Sequence, residues 1–326
     1  MTKALKFSTI YTASLTALVV ARLIFGFVNL SDNISGWLFS TVMQCGFMGL
    51  MPLLMYRMRP KPDVSFAKAV GLKIPDITVI LLSVAAGIIM FLVNIVVSSL
   101  SNALWEAAGY TSVNSSGTIY SGIEVFILEA VTGALMPAVF EEITHRGVLL
   151  GALDENGVPD FLKVLIMALF FGMAHQNVTQ LIPTFVVGII VSVLAIKTRS
   201  LIPGMIIHFL NNFLITLLNF SIQWSLSFAY IYAFVTNVMF MSNVTLAISL
   251  VGGLVLLSLL VFEMCRIAKA SSGRRRAEAG DEYYGEILYD GERKKRADPA
   301  AVAMLAIGFA VCVGGTVFTL IWGLMR

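Results

Sequence analysis

"ITVILLSVAAGIIMFLVNIVVSSL", residues 77–100, runs for 24 residues without a charged side chain. A helix needs about 20 mostly apolar residues to cross the hydrocarbon core of a bilayer, so this stretch predicts a membrane-spanning helix. Eight further segments are also mostly apolar, and the fifth and sixth of the nine, 162–176 and 181–197, are short: 8–28, 34–56, 123–150, 162–176, 181–197, 201–220, 242–264 and 300–324. We therefore predict an all-α fold, a polytopic transmembrane helical bundle of about nine spans. The aromatic, apolar stretch 225–241 leaves that number open by one.

The composition agrees with this class. Of the 326 residues, 58% are hydrophobic and only 13% are charged, whereas a soluble domain has about 25% charged residues. The net charge of +3 is small, and it indicates no nucleic-acid partner. The three cysteines lie far apart and predict no disulfide. The first apolar run follows Lys3 and Lys6 and contains Arg22, so we expect a retained helix and not a cleaved signal peptide.

The loops predict the orientation. Lysine and arginine are concentrated in 57–76, 197–200 and 266–299, whereas the loop 101–122 has neither. Because cytoplasmic loops carry the excess of basic residues, we predict a multi-pass protein of the cell membrane with a cytoplasmic N-terminus and a cytoplasmic 266–299 loop. That loop mixes both charge signs and is predicted to be a solvated, partly disordered linker. A contact with lipid headgroups is an open alternative for it.

We divide the chain into three predicted regions. Residues 1–119 form N-terminal transmembrane helices, 120–220 hold the chemically active helices, and 221–326 form C-terminal helices with the charged loop.

The histidines are the first indication of function. The chain has three, His145, His175 and His208, and all of them fall within predicted spans. An ionisable group at the bilayer centre costs roughly 2.5–3.5 kcal/mol on insertion scales, so these residues are candidates for a functional site.

The densest group of ionisable residues is "FEEITHRG", residues 140–147. Glu142 and Arg146 are four residues apart and can pair on one helix face, and Glu141 and His145 share a second face. Such a pair can also serve only to hold two helices together. Pro137 lies four residues before Glu141 and should free the carbonyl of Gly133, so we expect the helix to bend there.

Two later spans repeat the spacing of four residues. Phe171 and His175 share a face of one span, and His208 and Asn212 share a face of another. At about 1.5 Å of rise per residue, all these groups reach one layer in the cytoplasmic half or middle of the membrane. A carboxylate and an imidazole can polarise a water molecule, while an imidazole and an amide can donate to an oxyanion. Together these groups can hydrolyse an acyl bond without a covalent intermediate.

Three motifs in this order resemble the CAAX prenyl protease and bacteriocin-processing (CPBP, or Abi) family of intramembrane endopeptidases. They are Glu-Glu-x-x-x-Arg from Glu141 to Arg146, Phe-x-x-x-His from Phe171 to His175, and His-x-x-x-Asn from His208 to Asn212. The resemblance covers roughly residues 120–220.

The resemblance implies catalytic roles for Glu141, His175, His208 and Asn212. Glu141 would be the base and His175 its partner on the water, and His208 and Asn212 would form the oxyanion site. Supporting roles fall to Glu142, Arg146, Phe171 and His145. His145 departs from the family pattern, in which an apolar or aromatic residue usually precedes the arginine, and it could pack, tune Glu141 or add a metal ligand.

The implied substrate is a peptide or a lipidated protein in the membrane, cleaved near a prenylated C-terminus or at a bacteriocin or leader site. The favoured mechanism requires no cofactor. A zinc ion bound by Glu141, His175 and His208 is an open alternative, although the chain has no HExxH motif. Two further functions are considered: a non-proteolytic scaffold or immunity protein, and a proton-coupled transporter. No inverted repeat supports the latter.

Overall fold

The computed structural model describes residues 1–26, 33–58, 64–110, 118–279 and 296–325. In the helix that begins at residue 33 the side chains are described from residue 36 onward, and in the helix that ends at residue 279 they are described up to residue 272. Across these ranges the chain is helical and contains no strand. The α-helices are α1 Lys3–Gly26, α2 Asn33–Thr41, α3 Met51–Arg57, α4 Phe66–Ala69, α5 Ile77–Ala107, α6 Ile123–Glu129, α7 Met136–Glu142, α8 Leu149–Glu155, α9 Asp160–Ala174, α10 Val178–Thr198, α11 Ile202–Gln223, α12 Ser227–Met239, α13 Asn243–Ala279 and α14 Pro299–Leu324. The prediction of an all-α bundle is confirmed.

Eight helical runs in the described ranges are long and apolar enough to cross a membrane, and the chain is a multi-pass membrane protein. They match eight of the nine predicted spans. The remaining one, predicted at 162–176, is α9, a helix of 15 residues that extends for only about 22 Å. The aromatic stretch 225–241 contains α12, a 13-residue apolar helix.

Contacts between distant parts of the chain bring the basic segments to one end of the bundle. Lys6 donates to the carbonyl of Met58 at 3.1 Å, and Lys197 at the end of α10 pairs with Asp160 at the start of α9 at 2.9 Å. The N–H of Leu201 bonds to the carbonyl of Gly71 at 3.1 Å. The helices therefore alternate in direction as predicted, and the assignment of this end to the cytoplasm stays a prediction.

Three segments inside the spans are π-helical: Val42–Leu50, Ala130–Leu135 and Ile143–Val148. Pro137 explains the second, because proline has no N–H to donate to the preceding turn. The N–H of Met136 reaches back five residues to the carbonyl of Val131, and the next carbonyl, that of Thr132, accepts instead from the Ser40 hydroxyl at 2.9 Å. Pro137 was expected to free the carbonyl of Gly133 and bend the helix, and in the structure the turn around Gly133 is a π-helical turn. Such turns recur at functional sites.

Helices α5, α9, α10, α11 and α13 share one apolar core, whose fully or nearly fully buried members include Met90, Phe171, Val191, Ile207 and Leu257. A second core joins α1, the Val42–Leu50 segment and α8 around Tyr11, Met48 and Leu149. The ionisable residues of the fourth run lie between these two cores.

The linker prediction for 266–299 is partly wrong. The backbone of α13 continues as a helix to Ala279, so the first part of the linker extends the preceding span. The rest of that loop up to 295 lies outside the described residues, as do Arg59 and Lys61 of the segment 57–76, which was used to predict the orientation. All three cysteines are free thiols, and no disulfide was predicted between them.

Candidate active site

Four ionisable side chains of the fourth helical run are almost completely removed from solvent. Glu141 and Glu142 end α7, and His145 and Arg146 lie in the π-helical turn that follows. Their exposed fractions are 6%, 1%, 1% and 0%, respectively. Buried ionised groups need partners of opposite charge and additional hydrogen bonds, so the contacts of each one define what the site can do.

Arg146 is held by four groups on three helical segments. Its Nη1 donates to Glu142 Oε1 at 3.0 Å, its Nε to Ser192 Oγ at 3.3 Å and its Nη2 to the carbonyl of Gly188 at 3.4 Å. The guanidinium also lies over the Phe171 ring, 4.2 Å from the centroid. The pairing of Glu142 and Arg146 at a spacing of four residues is therefore observed, and it is anchored to α9 and α10.

Gly188 permits this close approach. A Cβ atom at this position would lie 2.8 Å from the Cα of Ala168 and 3.3 Å from Arg146 Nη2. Only glycine lets α10 pack this close to α9 and present its carbonyl to the guanidinium.

His208 lies between this ion pair and Glu141. Its Nδ1 lies 3.0 Å from Glu142 Oε1, and because an ionised carboxylate only accepts hydrogen bonds, Nδ1 carries the proton. The other ring nitrogen, Nε2, lies 4.0 Å from Glu141 Oε2. This separation is too long for a direct hydrogen bond.

Glu141 has one oxygen held and one free. Its Oε1 accepts from Gln44 Nε2 at 2.7 Å, and Gln44 lies in the π-helical segment Val42–Leu50. Its Oε2 is buried and has no hydrogen-bond partner in the described structure. The carboxylate also interacts electrostatically with His175, His208 and Arg22. A buried, unpartnered carboxylate oxygen calls for an explanation, and a bridging water would satisfy it.

His175 follows the last residue of α9. Its Nδ1 lies 2.9 Å from the carbonyl of Phe171, and since a carbonyl accepts, Nδ1 must be the donor. In the neutral ring, Nε2 then has the lone pair. The Phe171 ring lies between the three histidines in edge contacts, with centroid distances of 5.4 Å to His145, 5.1 Å to His175 and 5.5 Å to His208.

Two predicted residues have contacts outside this group. Asn212 is half-buried, and its Oδ1 accepts from Asn211 Nδ2 at 3.1 Å. His145 Nδ1 lies 3.0 Å from the hydroxyl of Tyr11 on α1. The oxyanion role of Asn212 and the tuning role of His145 stay predictions.

The first two helical runs supply residues that the sequence motifs do not identify: Gln44, Tyr11 and Arg22. Arg22 Nη1 donates to the carbonyl of Ala174 at 2.6 Å, directly before His175. Gln44 is separated from Glu141 by 97 residues, so no spacing within one helix could have predicted their contact. The sequence offered one indication of a role for Gln44, namely a polar side chain within a predicted span.

The residues proposed as zinc ligands do not form a metal site in this arrangement. Within the described ranges no three histidine, cysteine, aspartate or glutamate side chains are close enough to hold a metal ion. We therefore derive no step that passes through a metal.

If the site hydrolyses an acyl bond as the sequence predicts, replacing Gln44 by methionine should lower kcat without a comparable change in KM. Methionine keeps the volume of the side chain but removes the N–H that fixes Glu141 Oε1. Hydrogen bonds to charged groups contribute about 1.5–3 kcal/mol, so we expect kcat to fall by roughly ten- to a hundred-fold.

Met43→Leu, a volume-conserving change in the same π-helical segment, is the control and should leave kcat within about two-fold. Equal losses in both variants would mean that the segment tolerates no change, and Gln44 would then have no specific role.

Comparison with known proteins covers part of the chain. Residues 123–214 match the family model described as Rce1-like, type II CAAX prenyl endopeptidase Rce1-like. No curated protein matches the chain, and no solved structure does either. The matched segment includes Glu141, His175, His208 and Asn212, and the resemblance drawn from the three motifs is confirmed at the level of the family. Residues 123–214 of this membrane protein are therefore similar to the Rce1-like type II CAAX prenyl endopeptidases.

Proposed function

We propose that this chain is an intramembrane endopeptidase in which Glu141 activates a water molecule to hydrolyse a peptide bond next to a prenylated cysteine. One observation carries the proposal: Glu141 Oε2 is buried and unpartnered, and it lies 4.0 Å from His208 Nε2. A water molecule in hydrogen-bond contact with both atoms fits this separation. The family match supports the CAAX-type substrate over a bacteriocin or leader peptide.

In the first step the bound water gives one proton to Glu141 Oε2, and its oxygen attacks the carbonyl carbon of the substrate peptide bond. The Gln44 hydrogen bond on Oε1 keeps Oε2 directed at the water. His175, whose Nδ1 donates to Phe171, offers Nε2 as the acceptor for the second water proton. Two acceptors leave a lone pair of the water oxygen facing the substrate.

The attack places a negative charge on the former carbonyl oxygen. Protonated His208 can donate to this oxyanion through Nε2–H, because Glu142 holds Nδ1–H and stabilises the imidazolium. The amide of Asn212 is the second proposed donor. Glu141 then passes its proton to the amide nitrogen, the C–N bond breaks and the amine leaves. The new carboxylic acid gives its remaining proton to His175 Nε2 and leaves as a carboxylate.

Arg146 and Glu142 support this arrangement without touching the substrate. Arg146 fixes Glu142 in the protein interior, and Glu142 fixes the orientation and the protonated nitrogen of His208. We also propose that residues 120–220 form the catalytic core between helices 1–119 and 221–326. The N-terminus and the 266–299 loop are proposed to be cytoplasmic, supported by the basic helix ends that meet at one face.

The test is a cleavage assay with the purified full-length chain. The probe is a synthetic peptide that ends in a CAAX sequence with an S-farnesyl cysteine, and the unprenylated peptide is the matched control. We expect release of the C-terminal tripeptide from the farnesylated peptide, detected by mass spectrometry, and at least ~10-fold slower release from the control. Hydroxylamine should trap no hydroxamate, because no acyl-enzyme forms.

Other outcomes separate the alternatives. Equal cleavage of both peptides would contradict prenyl recognition, and cleavage of leader peptides alone would favour that substrate class. If the folded protein cleaves none of them, a scaffold or transport role becomes the better explanation.

A further inference from the structure

A cavity of about 720 Å³ opens at the basic end of the bundle, where α5 begins and α10 and α13 approach their C-terminal ends. Its volume is in the range of small-molecule sites. Five cationic residues line it: Lys73, Lys197, Arg199, Arg266 and Lys269. Because the lining has only two carboxylates, Asp76 and Asp160, its formal charge is positive.

Both carboxylates are engaged within the protein. Asp160 Oδ2 accepts from Lys197 at 2.9 Å, and Asp76 accepts from the N–H of Thr78 at 2.9 Å and from the Ser271 hydroxyl at 3.2 Å. Asp76 therefore caps α5 and ties it to α13. Arg266 pairs with Glu263, which lies outside the lining. Even with this carboxylate included, the cations outnumber the carboxylates by five to three, and this excess favours an anionic ligand.

The side of the cavity formed by α13 is apolar and continues along the helix. Phe262 lines the cavity and is 66% exposed. Leu259 and Val255, three and seven residues earlier, fall on the same helix face and are 60% and 54% exposed. A cationic cavity that leads into an exposed apolar stripe of a spanning helix fits an amphiphile with an anionic head and a hydrocarbon chain.

The cations of the lining belong to the segments that the positive-inside rule assigns to the cytoplasm. Anionic lipids are enriched in that leaflet, and basic pockets between spanning helices bind their headgroups. We propose that this cavity binds the phosphate-containing headgroup of an anionic phospholipid, with one acyl chain along Val255, Leu259 and Phe262. This site is separate from the residues proposed for hydrolysis and does not depend on proteolytic activity.

The experiment is a lipid titration of the full-length chain in detergent, followed by native mass spectrometry. Phosphatidylglycerol and phosphatidylcholine with identical acyl chains are the probes, and inorganic phosphate is the soluble competitor. We expect phosphatidylglycerol to bind at least about ten-fold more tightly. The Arg199→Gln/Lys269→Gln variant should reduce its affinity by roughly ten- to thirty-fold, because each cation contributes to headgroup attraction.

Lys3→Gln is the matched control, since Lys3 is exposed, lies near the start of α1 and does not line the cavity. It should leave the affinity unchanged. If the double variant loses its thermal unfolding transition, Lys269→Gln alone is used, and a loss of at least about three-fold is expected. Equal binding of the two lipids, or unchanged affinity in the folded cavity variant, would overturn the proposal. Displacement of the lipid by millimolar inorganic phosphate would also overturn it and assign the cavity to a soluble phosphate.

Discussion

Replacing Glu141 by glutamine should lower the rate of peptide cleavage by about 10²–10⁴-fold, the contribution of a positioned general base. The amide has nearly the same shape as the carboxylate, and its oxygen can still accept from Gln44. What it loses is the ability to take a proton from water. Because the substrate is bound by other groups, KM should change little while kcat falls.

Glu124→Gln is the matched control for this prediction. Glu124 begins the same helical run, but it is exposed. The control should cleave the farnesylated peptide at the native rate, and both variants should unfold at the native temperature. If Glu141→Gln keeps more than about a tenth of the native kcat, another group is the base and the proposed mechanism is wrong.

The second large effect concerns stability. Arg146→Met should lower the free energy of unfolding by about 3–5 kcal/mol, because it leaves the buried carboxylate of Glu142 without its main cation. The remaining hydrogen-bond partner of this carboxylate is then His208, whose Nδ1 lies 3.0 Å from Glu142 Oε1. The loss is measured as a shift of the thermal unfolding transition in detergent.

Two further variants test whether the charge is the cause. Arg146→Met/Glu142→Gln removes both charges and should be more stable than Arg146→Met alone. Arg266→Met breaks an exposed pair with Glu263, in which the side chains are 66% and 37% exposed, and should leave the thermal unfolding transition nearly unchanged, because water screens such a pair. If the double variant is no more stable than Arg146→Met, the lost packing of the guanidinium against Phe171 explains the effect, and the unpaired charge does not.

The sequence predicted those parts of the fold and site that depend on spacing along one chain segment. Apolar runs predicted the spans, and the spacing of four residues predicted the pair between Glu142 and Arg146. The segment 162–176 was predicted as a short span, and α9 is indeed a helix of 15 residues, although the apolar pattern continues through His175 and the helix ends at Ala174.

The remaining features depend on contacts between helices, which periodicity does not encode. The motif spacing paired His208 with Asn212. In the structure, however, Nδ1 of His208 lies in hydrogen-bond contact with Glu142 on another helix. Gln44 reaches Glu141 from a segment outside the family match, which covers 123–214. The π-helical turns were also missed, since hydrophobic patterns do not distinguish a turn with one more residue from an ordinary helical turn.

The pairing of Glu142 with Arg146 on the same helical run has a consequence for biogenesis. An unpaired charge opposes entry of a helix into the bilayer, but this segment brings its own counter-ion one turn away when it leaves the ribosome. Gln44 belongs to an earlier-made helix, so a partner for Glu141 is already synthesised when the glutamate is inserted. His208 is translated later, with α11, and the proposed hydrolytic centre is complete only after that helix docks. The order of synthesis thus separates the insertion of Glu141 from the completion of the site proposed around it.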